Sequence, residues 1–450
     1  MKAGRDAGVN LFGFLSSSLG LGEAARATAT LVRDAGVPVA CVDFELSGTP
    51  RVPFDCDRTT ELDALPFGVN IFQLNPPELL GFVLRWRWKT GFTMAPYLNV
   101  MVPFWELPEM PSLWTDVLES MDVILAPSHF IADSVRSSLS ERSVPMLLHY
   151  PQSVVAPAGI VPNRKKWLQG RDPGLAVMFS FDAESDIERK NPAAAVMAFQ
   201  AAFPERQDVA LVLKVSRATY ASGPQWDVVQ NAVSRDARVI LIDEHLTKAD
   251  LWELMASVDV YLSLHRSEGL GLGMMEAMAL GKVVVATGWS GNMDFTDSTT
   301  AMLVPYAMTP VSGVENLNYL SAGHLSWADP DVERAAEILR ELVDSPELRA
   351  TIGRGAAARI EELGREREAF NLGGRLLGLA PEVVGSAEHR RRCGNANRAS
   401  RSSYPQYGYR PALLERQKRA AVRFLRSVKL KKPGPEATPP ALLGSGDQGE

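Results

Sequence analysis

The chain has 450 residues, 46% of them hydrophobic and 22% charged, and a formal net charge of -6. That length exceeds one ordinary core and predicts two domains of about 150–200 residues, while the charge balance gives no case for a nucleic-acid partner. Cys41, Cys56 and Cys393 lie far apart without a C-x-x-C spacing, so neither a disulfide framework nor a zinc site is suggested, and a reducing, cytoplasmic compartment is the expectation.

Short apolar runs alternate with amphipathic helical patterns from the start. VNLFGFL (9–15) follows early basic residues as a leader segment does, but Asp6 interrupts the charged part and no small-x-small site closes it. It is assigned as a first buried strand. A glycine turn and a helix from about Gly22 to Ala35 come next, then the strands VPVACVDF and FGVNIFQLN (67–75). The tryptophan-rich PELLGFVLRWRWKTG predicts a helix, and YLNVMVPFWEL, DVILAPS and VPMLLHY complete a first set of strands. This is the rhythm of a parallel sheet covered on both faces.

PNRKKWLQGRDPG (162–174) is basic and rich in Pro and Gly, as a linker is. The alternation restarts with LAVMFSF, the helix PAAAVMAFQAAF, VALVLKV and ARVILID. Thr247 with Asp250 predicts a capping box for the helix KADLWELMASV. Two doubly wound α/β domains therefore follow each other, over 1–165 and 166–379. The tail, 380–450, differs in composition. EHRRRCGNANRASRSSYPQYGY reads as disordered. Residues 410–432 form a basic amphipathic helix candidate with Leu414, Ala421, Leu425 and Val428 on one side. Fourteen Lys and Arg face one acidic residue between Arg390 and Lys432. Such a tail is either a solvated extension or a peripheral anchor on anionic lipid. No apolar run reaches the roughly 18–20 residues that span a bilayer.

The stretch RSEGLGLGMMEAMALGK, from Arg266 to Lys282, carries the densest chemistry. It lies between the strands DVYLSLH and KVVVAT, so a glycine loop and a helix start sit beyond the carboxyl end of a strand, where ligands bind in open α/β sheets. Glycines admit backbone N–H groups close to a ligand, and the helix start favours phosphate. Glu268 and Glu276 are suited instead to hydroxyl pairs. A ligand with phosphate in the middle and hydroxyls at both ends, such as a nucleotide sugar, matches both features. Solvated glutamates beside a plain turn are the alternative. A dinucleotide fingerprint fails because Met274 stands where the third glycine belongs.

These residues resemble the glutamate-x7-glutamate signature of family 4 retaining glycosyltransferases, over roughly residues 8–375. The resemblance implies the GT-B fold, two Rossmann-like domains facing each other across a cleft. It implies that Glu268 holds the hydroxyls of the transferred sugar, that Glu276 holds the ribose, and that Gly269, Leu270, Gly271 and Leu272 contact sugar and pyrophosphate through their backbone. DIERKNPAAAVMAFQAAF resembles the segment whose lysine, here Lys190, neutralises the diphosphate leaving group. A helper arginine is expected five residues earlier, where this chain has Ser185, and Arg189 is the candidate substitute. GLGEAARA (20–27) resembles the N-terminal loop that faces the donor, which singles out Gly22. Where many relatives carry a histidine at a first-domain strand end, this chain has Trp105 and Glu106. A subgroup with FWE here, RKNP after the linker and SGN after the motif is most similar, which places Gly291 and Asn292 along the phosphate loop.

The implied activity is sugar transfer from a UDP- or GDP-linked donor to a glycan or lipid-linked acceptor, with retention and without a cofactor or metal. The triplets DCD (55–57) and DPD (329–331) lie in loops, the second placed to cap a helix. His265 either lines the donor pocket or packs at the strand end, and His129 and His149 are assigned structural roles. A phosphorylase or sugar-phosphate synthase of the same fold, or a nucleotide-sugar-binding protein without catalysis, are the rival readings.

Overall fold

Runs of Val, Ile and Leu pair into two separate sheets in the computed structural model, which describes residues 5–44, 49–84, 92–139, 145–312 and 324–406. The first sheet contains β1 (Asp6–Gly13), β2 (Val39–Asp43), β3 (Arg58–Thr59), β4 (Phe67–Phe72), β5 (Leu98–Met101), β6 (Val123–Ala126) and β7 (Met146–His149), in the order β3-β2-β1-β4-β5-β6-β7. VNLFGFL thus supplies a central strand, paired in parallel with β2 and β4. The second contains β8 (Leu175–Asp182), β9 (Val209–Ser216), β10 (Val239–Ile242), β11 (Val260–Ser263), β12 (Val283–Thr287) and β13 (Met302–Val304), in the order β10-β9-β8-β11-β12-β13. Its pairings are parallel, and β9 is buried along its length except Ser216. The strand order reverses between β1 and β4 in one sheet and between β8 and β11 in the other, which opens a crevice at each reversal.

Several local expectations match the structure. Thr247 Oγ1 accepts from the Asp250 amide at 3.1 Å and caps helix Lys248–Ala256. Asp331 of DPD caps helix Val332–Asp344, accepting from the Arg334 amide at 2.9 Å. The acids of DCD serve the scaffold, with Asp55 2.7 Å from Arg33 and Asp57 accepting from the Val39 amide at 2.7 Å. No helix among the described residues is long and apolar enough to cross a membrane.

Other expectations need correction. The stretch 162–174 is docked, not free. Trp167 and Leu168 are buried in the second-domain core, and Lys166 lies 2.9 Å from Asp250 and 3.0 Å from Glu253. Cys41 and Cys56 form a disulfide with Cα atoms 6.4 Å apart. Pairing of Cys41 with Thr59 at the sheet edge brings them together, so the cysteines give no argument for a reducing compartment. The second domain also ends earlier than expected. Helix Pro346–Phe370 stops at Asn371, whose φ of 49° turns the chain. Leu372 and Leu376 of the next helix, Leu372–Val383, are buried in the first-domain core with Val9, Leu11 and Val32.

The segment expected to be disordered forms helix Ala387–Gln406. Its anchor is polar, which hydrophobic periodicity does not reveal. Asn10, Asn70 and Asn99 stand in register on β1, β4 and β5, all fully buried. Asn10 Nδ2 donates to Asn70 Oδ1 at 2.9 Å, Asn70 Nδ2 to Asn99 Oδ1 at 3.2 Å, and Asn99 Nδ2 to Asp122 Oδ2 at 3.3 Å. His389 closes the ladder, with Nδ1 2.9 Å from Asp122 Oδ1 and Nε2 2.9 Å from the Ala95 carbonyl. Both ring nitrogens face acceptors, so the ring is held as imidazolium. The candidate membrane helix, 410–432, lies outside the described residues.

Burial opposes charge on His389, but the bond to Asp122 and contacts with Cys393 and Ala95 outweigh it and raise its pKa from 6.5 to about 10. A raised pKa in the folded state gives stability that is complete below pH 6.5 and declines as pH rises towards 10. His389→Ala leaves Asp122 buried without its cation, a loss of about 3–5 kcal/mol. The gap in melting temperature between wild type and His389→Ala is therefore expected to be widest below pH 6.5 and to narrow towards pH 10. A gap independent of pH would show that His389 acts as a neutral donor.

Candidate functional site

Three strand ends of the second sheet converge at its reversal point. After β8, Asp186 takes a φ of 60° and caps the short helix Ile187–Lys190, its Oδ1 accepting from the Arg189 amide at 3.2 Å. Asn191, with φ 54°, then turns the chain into helix Pro192–Ala202. This double turn presents Arg189 and Lys190 to the loop that leaves β11. Arg189 is buried, and its Nη1 donates to the Ser267 carbonyl at 2.8 Å and lies 3.2 Å from Glu268 Oε2. Its Nη2 donates to Ser185 Oγ at 2.9 Å and sits 3.6 Å from Glu106 Oε1 of the first domain. Lys190 Nζ pairs with the other Glu268 oxygen. Arg189, Lys190, Glu268 and Glu106 are thus one cluster. Ser185 takes part as a hydrogen-bond partner of Arg189, so the unusual serine and the candidate arginine belong to one arrangement.

Burial pushes the Glu268 carboxyl up, but the charges of Lys190 and then Arg189 prevail and hold it at about 2. Its backbone is pinned by β12's following turn: the Glu268 amide donates to Ser290 Oγ at 2.8 Å, and its carbonyl accepts from the Gly291 amide at 2.9 Å. Ser290 has φ 76°. A Cβ on Gly291 would lie 2.1 Å from the Gly269 carbonyl oxygen, so the two loops touch through bare backbone.

The glycine loop is also pressed against the first domain. A Cβ on Gly269 would lie 2.6 Å from the Trp105 carbonyl oxygen, and Ser128 Oγ donates to the Gly269 carbonyl at 2.6 Å. Gly271, at φ 100°, opens helix Leu272–Ala279 and has no side chain with which to cap it. Leu270 is buried in the second-domain core, so only its backbone is available to a ligand, while Leu272 is half-buried.

Glu276, on the same helix, pairs with Lys248, whose Nζ also lies 3.6 Å from Glu23 of the first domain. Burial pushes the Glu276 carboxyl up, with Lys248 opposing. Glu23 adjoins Gly22 on helix Gly20–Asp34, so the first-domain helix start faces Glu276 through a lysine. A Cβ on Gly22 would lie 2.4 Å from the Ser17 carbonyl oxygen, which makes glycine the residue that lets this helix start close on its loop.

Three sequence candidates have side chains away from the cleft surface. Asn292 is fully buried, its Nδ2 donating to the Thr287 carbonyl at 3.0 Å and its Oδ1 lying 3.2 Å from His265 Nε2. His265 is equally buried, which settles its open alternatives in favour of packing. Trp105 packs on Trp114 and donates Nε1 to the Glu109 carbonyl at 2.7 Å. Asp186, Ser290, Ser128 and Lys248 were not singled out from the sequence. The first is legible as a cap three residues before Arg189, whereas Lys248 arrives from the start of a helix 28 residues from Glu276 and has no local signal.

Residues 189–320 match the family model described as Glycosyl transferases group 1. The chain thus matches a glycosyltransferase domain over this segment. It resembles sucrose-phosphate synthase from Thermosynechococcus elongatus, with TM-score 0.60 and 15% identity over 83% of this chain and 100% of that one. Trehalose 6-phosphate synthase from Burkholderia multivorans aligns with TM-score 0.54 and 14% identity over 84% of this chain and 100% of that one. Anabaena HepE, solved with UDP and glucose, aligns with TM-score 0.52 and 11% identity over 81% and 98%. At these identities the likeness is one of fold, and the fold is GT-B. No curated protein matches the sequence.

The Gly269–Gly291 contact allows a direct test of the site's packing. Gly291→Ala is expected to force the loops apart at an overpacking cost of about 1–3 kcal/mol, lowering the melting temperature by at least about 2 °C. An unchanged melting curve would show that the loops yield freely.

Proposed function

We propose that the protein is a retaining, metal-independent glycosyltransferase of family 4 that moves a sugar from a UDP- or GDP-linked donor to a glycan or lipid-linked acceptor in cell-surface polysaccharide assembly, at the cytoplasmic face. The observation that carries this reading is Glu268, a largely enclosed carboxylate kept ionised by Lys190 and Arg189 at the junction of both domains. A carboxylate so held is a fixed acceptor for sugar hydroxyls. Lys190 is a cation beside the glycine loop, and with the N–H groups of Gly269 to Leu272 it can face a diphosphate. Glu276 then takes the ribose hydroxyls, with Lys248 released from it or shared.

The electrostatics follow from the bond changes. The bond from anomeric carbon to phosphate oxygen breaks, and charge grows on the diphosphate. Preorganised donors aimed at that charge lower the barrier. The acceptor oxygen bonds to the anomeric carbon on the same face, and its proton passes to the departing phosphate oxygen. Glu106, 3.6 Å from Arg189, lies on the first-domain side, where it can orient the acceptor.

Incubation with a panel of UDP- and GDP-sugars, read by release of nucleoside diphosphate, is expected to identify a donor that also raises the melting temperature. Lys190→Ala should lower turnover by about 100–1,000-fold, the usual cost of one such donor. Because Glu268 stays ionised down to about pH 2, its protonation should leave the acid limb of the wild-type pH profile untouched. Removing Lys190 leaves Arg189 alone to oppose burial, so in Lys190→Met the acid limb should move upward in pH. NMR of the product should show the donor's anomeric configuration, and an inverted linkage would overturn the mechanism.

A further inference from the structure

Two histidines assigned structural roles from the sequence meet an aspartate across the domain boundary. His129 opens helix His129–Ser138 after β6, and His149 ends β7. Asp294 ends the short helical turn Gly291–Asp294, the segment that backs the glycine loop. Asp294 Oδ2 lies 3.1 Å from His129 Nδ1 and 3.2 Å from His149 Nε2. The imidazoles stack with centroids 3.9 Å apart, and the three ligand atoms lie within 4.8 Å of one another.

A tetrahedral ion with bonds of about 2.0–2.1 Å separates its ligands by about 3.3 Å. Both histidine-to-aspartate distances are within about 0.3 Å of that edge. Two imidazoles and one carboxylate suit zinc and its first-row neighbours, whereas magnesium and calcium need more oxygen ligands. A cavity of about 200 Å³ opens beside the cluster, lined by Gln152, Leu270, Met275 and Glu366 among others. It leaves room for water as a fourth ligand.

We propose that His129, His149 and Asp294 bind one divalent transition-metal ion, such as Zn²⁺, which clamps the first domain to the segment behind the glycine loop. The ion is structural. It is separate from the Glu268 cluster, and the inference does not depend on which sugar is transferred. Its effect is to hold Gly291 and its contact with Gly269 in place against the first domain.

The test uses the full chain, stripped with chelator and titrated with Zn²⁺ by calorimetry and with Co²⁺ by visible absorption. One equivalent per chain is expected, with the intense bands of a four-coordinate cobalt site and a rise in melting temperature. His129 is 67% exposed, so His129→Ala removes a ligand while leaving the core packing alone. It should weaken Zn²⁺ binding by at least the roughly 10–100-fold that changes around a metal site produce, and His149→Ala and Asp294→Asn should do the same. No binding below 100-micromolar dissociation (~100 μM, about -5.5 kcal/mol), or equal binding by wild type and a His129→Ala variant with an unchanged apo melting curve, would overturn the site.

Discussion

The site depends on keeping a carboxylate charged where water is scarce. Glu268 is almost enclosed, and an isolated carboxylate there would take up a proton. Lys190 and Arg189 prevent this from two directions, one on each oxygen. Arg189 is itself buried, so its charge also needs partners, and Ser185, the Ser267 carbonyl and Glu106 supply them. The double turn at Asp186 and Asn191 exists to place these two cations side by side. One requirement, an ionised Glu268, thus accounts for two residues in left-handed backbone, a buried arginine and a carboxylate from the opposite domain.

A second constraint is steric. The glycine loop contacts backbone on both sides, the Trp105 carbonyl on one and Gly291 on the other. Side chains at Gly269 or Gly291 would hold the layers apart by more than the site tolerates. The glycines therefore set the width of the junction as well as admitting ligand to backbone amides. Ser128 reinforces the layer by donating to the Gly269 carbonyl. This leaves the loop's amide groups as the face that remains for an anion.

The parts of this arrangement differ in how far they can be read from sequence. Strands buried on both faces are unbroken apolar runs, so LAVMFSF, VALVLKV and KVVVAT identify themselves, and the strand-then-glycine pattern locates Glu268 and Glu276. Lys190 follows from a local motif. Asn292 shows the limit of that approach: its neighbour Gly291 does touch the loop, but the side chain turns inward to His265. Features built from distant partners leave no local trace. Lys248 reaches Glu276 from the start of another helix, Cys41 meets Cys56 through sheet pairing, and His389 joins a ladder whose nearest member, Asp122, is 267 residues away. The last also explains the misread tail, because a helix held by a buried ion pair and an asparagine ladder need not show an apolar stripe.

That ladder bears on how the two domains stay associated. The chain crosses between them twice, through the docked strap around Trp167 and again at Asn371, and the second crossing is locked by Leu372, Leu376 and His389 in the first domain. Covalent return of the chain confines any relative motion to these two crossings. The contacts across the boundary mix polar pairs, Ser128 to Gly269, Arg189 to Glu106, Lys248 to Glu23 and Asp294 to the two histidines, with apolar packing of Phe130 on Trp289 and of Phe104 on the second-domain core. The polar pairs exchange for water at small net cost, whereas the apolar contacts resist separation. The buried strap and ladder keep the domains in register whichever of these contacts is exchanged.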